Sequence, residues 1–131
     1  MLAITSKSPY AVRALAELAR RDSDQPVPIG ELARSRDIPV QFLEGLFATL
    51  RRAGILVSQR GVKGGYQFAR PPREITVLEV VELLEGELGA EADGQVWRES
   101  TDALKAVLAA TSIADVAERE AQDAGAPMYY I

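Results

Sequence analysis

The sequence predicts a mainly α-helical protein with one small β-hairpin, arranged as a winged helix-turn-helix followed by a long helix suited to dimerisation. Three short helical patterns follow one another in the first half of the chain. Two short apolar runs then enclose a segment rich in glycine and cations, which is typical of a hairpin with a functional tip. The second half returns to helical periodicity.

Three helices are predicted in the first half from their apolar spacing and their end signals. Ser8 can cap the first helix, with Pro9 at its first helical position, where the missing N–H costs nothing. Gly54 stands where a left-handed residue is expected to end the third helix. The predicted bounds are about 8–20, 29–36 and 40–53, with a two-proline loop at 22–28 and a turn at 37–39.

The run from Arg60 to Tyr66 joins two short strands predicted at 55–57 and 66–68. Its three glycines allow a tight turn with positive φ and a close approach to another surface. Its two cations favour a phosphate backbone as that surface. The segment is therefore predicted to be the wing that follows a recognition helix.

The second half is predicted to contain three more helices separated by one long loop. Thr76 begins the first of them, and Thr111 or Ser112 can cap the last. The predicted helices span about 76–85, 95–110 and 113–121, with an acidic, glycine-rich loop at 86–94. We expect a DNA-binding domain over residues 1–72, dimerisation and regulatory helices over 73–121, and a tail over 122–131.

Charge is divided unevenly along the chain, although the formal net charge is −4. Residues 1–70 carry 11 Lys and Arg against 6 Asp and Glu, a net charge of +5, whereas residues 71–131 carry 4 against 13, a net charge of −9. A basic half joined to an acidic half indicates a nucleic-acid surface on the basic side. A solvated face of mixed charge would give the same pattern.

The absence of two residue types excludes several kinds of functional site. The chain has no cysteine and no histidine, which excludes disulfides, zinc or iron–sulfur sites with Cys or His ligands, and the usual nucleophile–base pairs. We therefore expect no metal, no cofactor and no enzymatic activity. No apolar run is long enough to span a membrane and the first residues lack a signal-peptide pattern, so a cytoplasmic protein is expected.

The exposed positions at the start of the third helix are the first candidates for contact with DNA bases. A major groove admits one helix, whose N-terminal residues meet the base edges; here these are Val40, Gln41, Glu44 and Gly45. Gln41 can pair with adenine and Glu44 can accept from cytosine N4, although Glu44 could equally be a simple surface carboxylate. Arg51, near the far end of the helix, is expected to meet phosphate or an acidic neighbour.

Further DNA contacts are predicted in the wing and at the N-terminus. Arg60 is placed for a minor-groove or phosphate contact, with a salt bridge as the alternative. Hydroxyl groups near the start of a helix bind phosphate readily, whereas Tyr10 could instead be packed in the core. The predicted contacts outside the third helix are Thr5, Ser6, Lys7, Tyr10, Arg60, Lys63, Gly64 and Gly65.

The long helix of the second half is the best candidate for a dimer interface. Winged-helix modules usually bind two half-sites as dimers, so a dimer-forming element is needed. The apolar stripe of this helix consists of Trp97, Leu104, Val107 and Leu108.

The end of the chain is unusually apolar. Tails normally end polar, but here a Gly/Pro break precedes four apolar or aromatic residues. This segment either packs back on the protein or serves as a short peptide whose terminal carboxylate is captured by a partner. The residues are Met128, Tyr129, Tyr130 and Ile131.

Five segments together resemble the Rrf family of bacterial winged-helix regulators. The resemblance is strong over about residues 1–85 and weak over the long helix that follows. Its most specific part is the wing with the Ala-Arg-Pro-Pro run at 69–72. Within the family, the chain is most similar to the cluster-free repressors of cysteine metabolism. The segments are 6–15, 42–46, 50–56, 60–66 and 75–81.

The resemblance implies a homodimer that contacts its partner through the long helix. It also implies that the third helix enters the major groove and the wing the minor groove, so that DNA contacts fall on Gln41, Glu44 and Arg60. Many family members hold an iron–sulfur cluster through three cysteines in the loop that here spans 86–97. That loop contains no cysteine, so cluster sensing is not expected.

In cluster-free family members the signal comes from a partner enzyme, cysteine synthase, which captures C-terminal peptides ending in isoleucine. The resemblance therefore implies a repressor whose Ile131 docks into this enzyme when cysteine is ample, with O-acetylserine as competitor. Two alternatives stay open. One is a stand-alone regulator that senses a small molecule in the dimer cleft, and the other is an adaptor that modulates cysteine synthase without binding DNA.

Overall fold

The structure, a computed structural model, describes residues 4–62 and 64–125. Within these ranges the chain forms six α-helices and one two-stranded antiparallel sheet, which confirms the predicted fold class. The elements are α1 (Lys7–Arg21), α2 (Ile29–Arg36), α3 (Val40–Arg52), β1 (Leu56–Gln59), β2 (Gly65–Phe68), α4 (Val77–Glu85), α5 (Gln95–Ala109) and α6 (Ile113–Gly125), with a short 3-10 turn at Pro72–Glu74.

The first three helices share one apolar core. The turn between α2 and α3 is closed by Ile38, which is buried and donates its N–H to the carbonyl of Ala33 at 2.9 Å. Gly54 ends α3 with φ of 82°, as the sequence predicts. The buried side chains of α1 and α3 fall at the three- and four-residue spacing of amphipathic helices: Ala11, Ala14, Leu15 and Leu18 on α1, and Leu43, Leu46, Phe47 and Leu50 on α3.

The hairpin of β1 and β2 is fastened to the helices on one side. Val27, in the loop before α2, donates its N–H to the carbonyl of Tyr66 at 3.0 Å and accepts from the N–H of Tyr66 at 2.9 Å. The ring of Tyr66 also packs edge-on against Phe47 of α3, with the ring centroids 5.1 Å apart. The wing therefore has a fixed position relative to α2 and α3.

The second half packs back onto the first. Thr76 caps α4 by accepting from the N–H of Glu79, so the helix begins at Val77, one residue later than predicted. Ser112 and Asp115 form a reciprocal capping box at the start of α6, which identifies Ser112 rather than Thr111 as the cap. From there α6 crosses to α1, against which it makes the most extensive helix contact of the described chain.

Several of the predicted element ends are wrong. α1 begins at Lys7 rather than Ser8, because Ser8 is buried and its hydroxyl donates to the carboxylate of Glu85 instead of capping the helix. α6 continues to Gly125, so residues 122–125, predicted to belong to the tail, are helical. Both strands extend further toward the turn than predicted.

A network of ion pairs joins α1, α2 and α6 at the end of α2. The Nη1 and Nη2 groups of Arg36 donate to the two carboxylate oxygens of Glu120, at 3.0 and 2.6 Å. The Nε group of Arg36 donates to Glu17 at 2.9 Å. The side chain of Arg36 is only 15% exposed, so its charge depends on these partners for compensation.

The same contacts shift the pKa values of the three groups. The hydrogen bond to Glu120 raises the pKa of Arg36 and lowers the pKa of Glu120. Burial raises the pKa of Glu17, but the hydrogen bonds from Arg36 and Arg21 outweigh burial and leave the pKa lowered. The network therefore contributes stability at neutral pH that is lost as the pH falls through the lowered pKa values of the carboxyl groups.

Replacing Arg36 with methionine is expected to lower the free energy of unfolding by about 2 kcal/mol, because two partly buried carboxylates lose their donor. Urea denaturation at neutral pH, followed by circular dichroism, measures this change. Arg34→Met, at an exposed position of the same helix, should alter stability by no more than about 0.5 kcal/mol. Equal denaturation midpoints for the two variants would contradict the importance assigned to the network.

Candidate nucleic-acid interface

The outward face of α3 carries the predicted base-reading residues. Gln41, Glu44 and Gly45 are exposed, and Val40 is 38% exposed at the start of the helix. The opposite face of α3 is buried in the core, so the helix can offer only this face to a groove. The chain thus brings together an amide, a carboxylate and a stretch of bare helix backbone on one surface, which is the chemistry needed to contact base edges.

The shape of the wing requires its glycines. Gly61 has φ of 111° and accepts from the N–H of Gly64 at 3.0 Å, which closes the turn. A Cβ atom on Gly64 would lie 2.9 Å from the carbonyl oxygen of Gly61 and would overlap that of Gln59. Gly65 has φ of 151°, and a Cβ there would overlap the carbonyl group of Val27. Gly64 and Gly65 therefore shape the wing, whichever DNA groups the wing contacts.

Arg51 and Arg60 meet around one shallow depression. It lies between the start of α2, the end of α3 and the wing, and both arginines line it. Both are exposed, and neither forms an ion pair within residues 4–62 and 64–125. By contrast, Arg36 and Arg70 are held by carboxylates. Two uncompensated cations therefore lie together between α3 and the wing, and such cations attract a phosphate backbone.

The start of α1 already holds an anion from the protein itself. The carboxylate of Glu85 accepts from the N–H of Thr5 at 2.9 Å, from the hydroxyl of Thr5 at 2.9 Å and from the hydroxyl of Ser8 at 2.8 Å. Burial raises the pKa of Glu85, but these bonds outweigh it and leave the pKa lowered, so the carboxylate stays ionised. It occupies the kind of position that a phosphate would take at a helix N-terminus.

The other predicted N-terminal contacts have different surroundings. Ser6 and Lys7 are exposed at the start of α1 and are open to solvent. Tyr10 is half-buried and packs edge-on against Phe42 of α3, with ring centroids 5.5 Å apart. The guanidinium of Arg13 lies over the Tyr10 ring at 5.5 Å from its centroid. Tyr10 thus helps to position the recognition helix.

The predicted dimer stripe of α5 is divided between two environments. Leu104 and Leu108 are half-buried and pack against the core of the chain. Trp97 and Val107 are 61% and 63% exposed. Val96, next to Trp97, is 66% exposed and extends the uncovered apolar surface. The inner half of the stripe therefore packs within the chain, and the outer half is left uncovered.

Comparison with known proteins identifies the family to which this chain belongs. A model of the Rrf2 family, described as an iron-dependent transcriptional regulator, matches residues 4–119. The chain belongs to the Rrf2 family. Among its relatives is the HTH-type transcriptional regulator CymR of Bacillus subtilis strain 168, which is 30% identical over 136 residues, with 98% of this chain and 99% of CymR covered.

Solved structures of Rrf2-type regulators show the same fold. The structure of CymR, the global cysteine regulator of B. subtilis, matches with a TM-score of 0.82 and 31% identity, over 91% of this chain and 98% of CymR. IscR from T. potens matches with a TM-score of 0.81 and 33% identity, over 98% of this chain and 97% of IscR. The chain is therefore a DNA-binding transcriptional regulator of the CymR and IscR type, and not an enzyme.

An iron–sulfur cluster of the kind found in other members does not fit the loop between α4 and α5. Leu88 is buried inside the loop, and its N–H donates to Glu82 at 3.0 Å. Gly89 lies directly against the side chain of Thr101. Lys105 pairs with Glu82 at 3.6 Å and with Glu87 at 3.8 Å. The interior of the loop is filled, and its polar groups pair with one another rather than offering thiolate ligands.

Five predicted contact residues lie outside the described residues. They are Lys63 in the wing, and Met128, Tyr129, Tyr130 and Ile131 at the end of the chain. Within residues 4–62 and 64–125, no helix is both long and apolar enough to cross a membrane. The same ranges contain no group of three or more His, Cys, Asp or Glu side chains that could hold a metal ion.

Sequence reasoning missed the residues that hold the interface in place. The sequence predicts Glu85 only as the end of a helix and Val27 only as part of a loop. Their partners, Ser8 and Tyr66, lie far away in the sequence, so no local pattern marks either contact. The glycine at position 65 was the one available signal, because a glycine in a strand indicates a close backbone approach.

Gly65→Ala is expected to lower the free energy of unfolding by about 3 kcal/mol, because the added Cβ displaces Val27 and breaks its two hydrogen bonds to Tyr66. Urea denaturation is the measurement. Gly125→Ala is the matched control, since a Cβ there meets no atom within 4 Å, and it should change stability by less than about 0.5 kcal/mol. A Gly65→Ala protein as stable as the control would refute the fastening of the wing by Val27.

Proposed function

We propose that the chain is a homodimeric repressor of genes of cysteine and sulfur metabolism. The likeness to CymR supports this proposal, because it extends over nearly the whole of both chains rather than over the DNA-binding part alone. CymR is described as the global cysteine regulator of B. subtilis. The absence of cysteine from the sequence supports a regulator whose signal is not an iron–sulfur cluster.

In this proposal α3 enters the major groove and the wing follows the adjacent minor groove. Gln41 and Glu44 contact base edges, whereas Arg51, Arg60 and Lys63 contact phosphate or the minor groove. The observation that carries the DNA mode is that Arg51, near the end of α3, and Arg60, in the wing, line one depression, and that neither forms an ion pair within residues 4–62 and 64–125. Lys7 and Ser6 are proposed to extend the contact along the backbone.

The homodimer is proposed to form through α5. Val96 and Trp97 at the start of α5, and Val107 near its end, are apolar side chains exposed on the outer face of this helix in one copy of the chain. A second copy that covers this face would bury it and would place two α3 helices on two half-sites of an operator. Leu104 and Leu108 would support the interface from the inner side of the helix.

Arg60→Ala is expected to weaken DNA binding about tenfold and to reduce the slope of log affinity against log salt concentration by about 0.9, because one phosphate contact and its released counterion are lost. Fluorescence anisotropy with a duplex selected by the wild-type protein from a randomised library measures both values. Arg119→Ala, at an exposed position of α6, is the control and should leave both unchanged. An unaltered salt slope for Arg60→Ala would remove Arg60 from the DNA contact.

Control by cysteine synthase is proposed to act through the C-terminal residues. The enzyme would receive the carboxylate of Ile131 in its active site, with the two tyrosines as rigid apolar contacts. α6 leads toward this segment, and Arg36 connects α6 to the helix-turn-helix. Binding of the enzyme at the end of the chain can therefore be communicated to α3 through contacts that exist in the fold.

Deletion of Ile131 is expected to lower the affinity for purified cysteine synthase at least tenfold, because the captured carboxylate is displaced from its position. Isothermal titration calorimetry measures the affinity, and O-acetylserine should compete with the full-length chain. Ile131→Leu keeps the carboxylate and an apolar side chain, so it should bind more tightly than the deletion. Unchanged affinity after deletion would refute docking through the tail. If no form binds the enzyme, the stand-alone regulator that senses a small molecule in the dimer cleft becomes the preferred function.

A further inference from the structure

Gly45 lies in the middle of the recognition helix, and no contact with the described residues requires a glycine there. Glycine destabilises a helix interior relative to alanine, so a helical glycine is expected where a neighbour leaves no room for a Cβ atom. Gly89, in the loop between α4 and α5, shows such crowding, because Thr101 lies against it. At Gly45, however, a Cβ would meet no atom within 4 Å. The packing of this chain therefore tolerates a side chain at position 45.

The surroundings of Gly45 on the surface of α3 indicate why a glycine is found there. It is exposed on the face of α3 that carries Gln41 one helical turn before it. It also borders a depression whose rim includes Lys7, Gln41 and Thr49. Lys7 forms no ion pair within the described ranges. The bare helix backbone at Gly45 thus lies beside an uncompensated cation and the amide of Gln41, whereas the hydroxyl of Thr49 donates to the carbonyl of Gly45 at 3.3 Å.

We infer that Gly45 admits a sugar–phosphate strand of DNA against the backbone of α3 and so sets the depth at which the helix enters the major groove. This inference rests on the proposed DNA-binding mode. A phosphodiester fits the surroundings, because Lys7 supplies positive charge and the open space at Gly45 leaves room for the strand. The carboxylate of Glu44 repels phosphate, so the strand lies on the Lys7 side of Gly45, and Glu44 is left to face the base edges.

The test is a series of larger side chains at position 45, Gly45→Ala and Gly45→Leu. Because the space around the missing Cβ is open in the free protein, both variants should fold, with a melting temperature equal to or a few degrees (about 2–4 °C) above that of the wild type. Affinity for a duplex selected by the wild-type protein should fall about tenfold for alanine and at least about a hundredfold for leucine. The salt slope should stay unchanged, because no phosphate contact carrying charge is removed.

Two controls isolate the cause. Gly125→Leu introduces the same side chain at another helical position with open surroundings, and it should leave DNA affinity unchanged. Lys7→Gln should instead reduce the salt slope by about 0.9, because it removes a cation while keeping the space at Gly45. Larger side chains at position 45 are thus expected to change the affinity alone, whereas Lys7→Gln is expected to change its salt dependence.

The outcomes separate this inference from the proposed function. If the wild-type protein selects no duplex and shows no salt-dependent binding, both fail together. If the wild type binds DNA and Gly45→Leu binds it equally well, only the role of Gly45 is overturned. A change in the molecular mass of Gly45→Leu, measured by analytical ultracentrifugation, would also overturn it, because the open face would then belong to a contact between two copies of the chain.

Discussion

The guanidinium of Arg36 holds the helix-turn-helix against the rest of the molecule. It terminates α2, immediately before the turn that sets the angle of α3, and it bonds Glu17 of α1 and Glu120 of α6 at the same time. Its backbone carbonyl accepts from Arg13 at 2.8 Å, so the main chain is fixed there as well. Because a largely buried charge has few alternative arrangements, α1, α2 and α6 are expected to move as one body.

The second constraint is the backbone pairing that fixes the wing. Val27 precedes α2 and Tyr66 belongs to β2, so their two hydrogen bonds tie the hairpin to the same helix that Arg36 ties to α6. The recognition helix lies between these fixed parts, with Phe47 packed against the ring of Tyr66. The distance between the tip of the wing and the face of α3 is therefore set by backbone geometry, as the proposed contact with two grooves of a duplex requires.

What could be predicted from the sequence is the part encoded by near neighbours. The start of a helix next to Thr76, the left-handed residue at Gly54 and the glycine-rich turn each depend on a few consecutive residues, and all three occur in the structure. The full length of α6 was missed, because its polar last turn resembles a tail. The same limit applies to side chains that a distant partner holds.

Ser8 and Arg36 show this limit most clearly. Ser8 has the sequence position of a helix cap, but its hydroxyl is used by Glu85, 77 positions further along the chain. In the sequence, nothing distinguishes Arg36 from the other arginines. Only the fold brings Glu120 close to it from 84 positions away. A sequence therefore shows which side chains could bind phosphate, but not which of them already bond to carboxylates of the same protein.

The packing of α6 on α1 has a consequence for the synthesis of the protein. α1 leaves the ribosome before the other described helices, yet the element that covers it most extensively is the last of them. At typical rates of translation, roughly 5–20 s separate the two, and for that interval the part of α1 that packs against α6 stays uncovered. The nascent chain is then a target for chaperones, and the helix-turn-helix gains its final rigidity only after translation has passed α6.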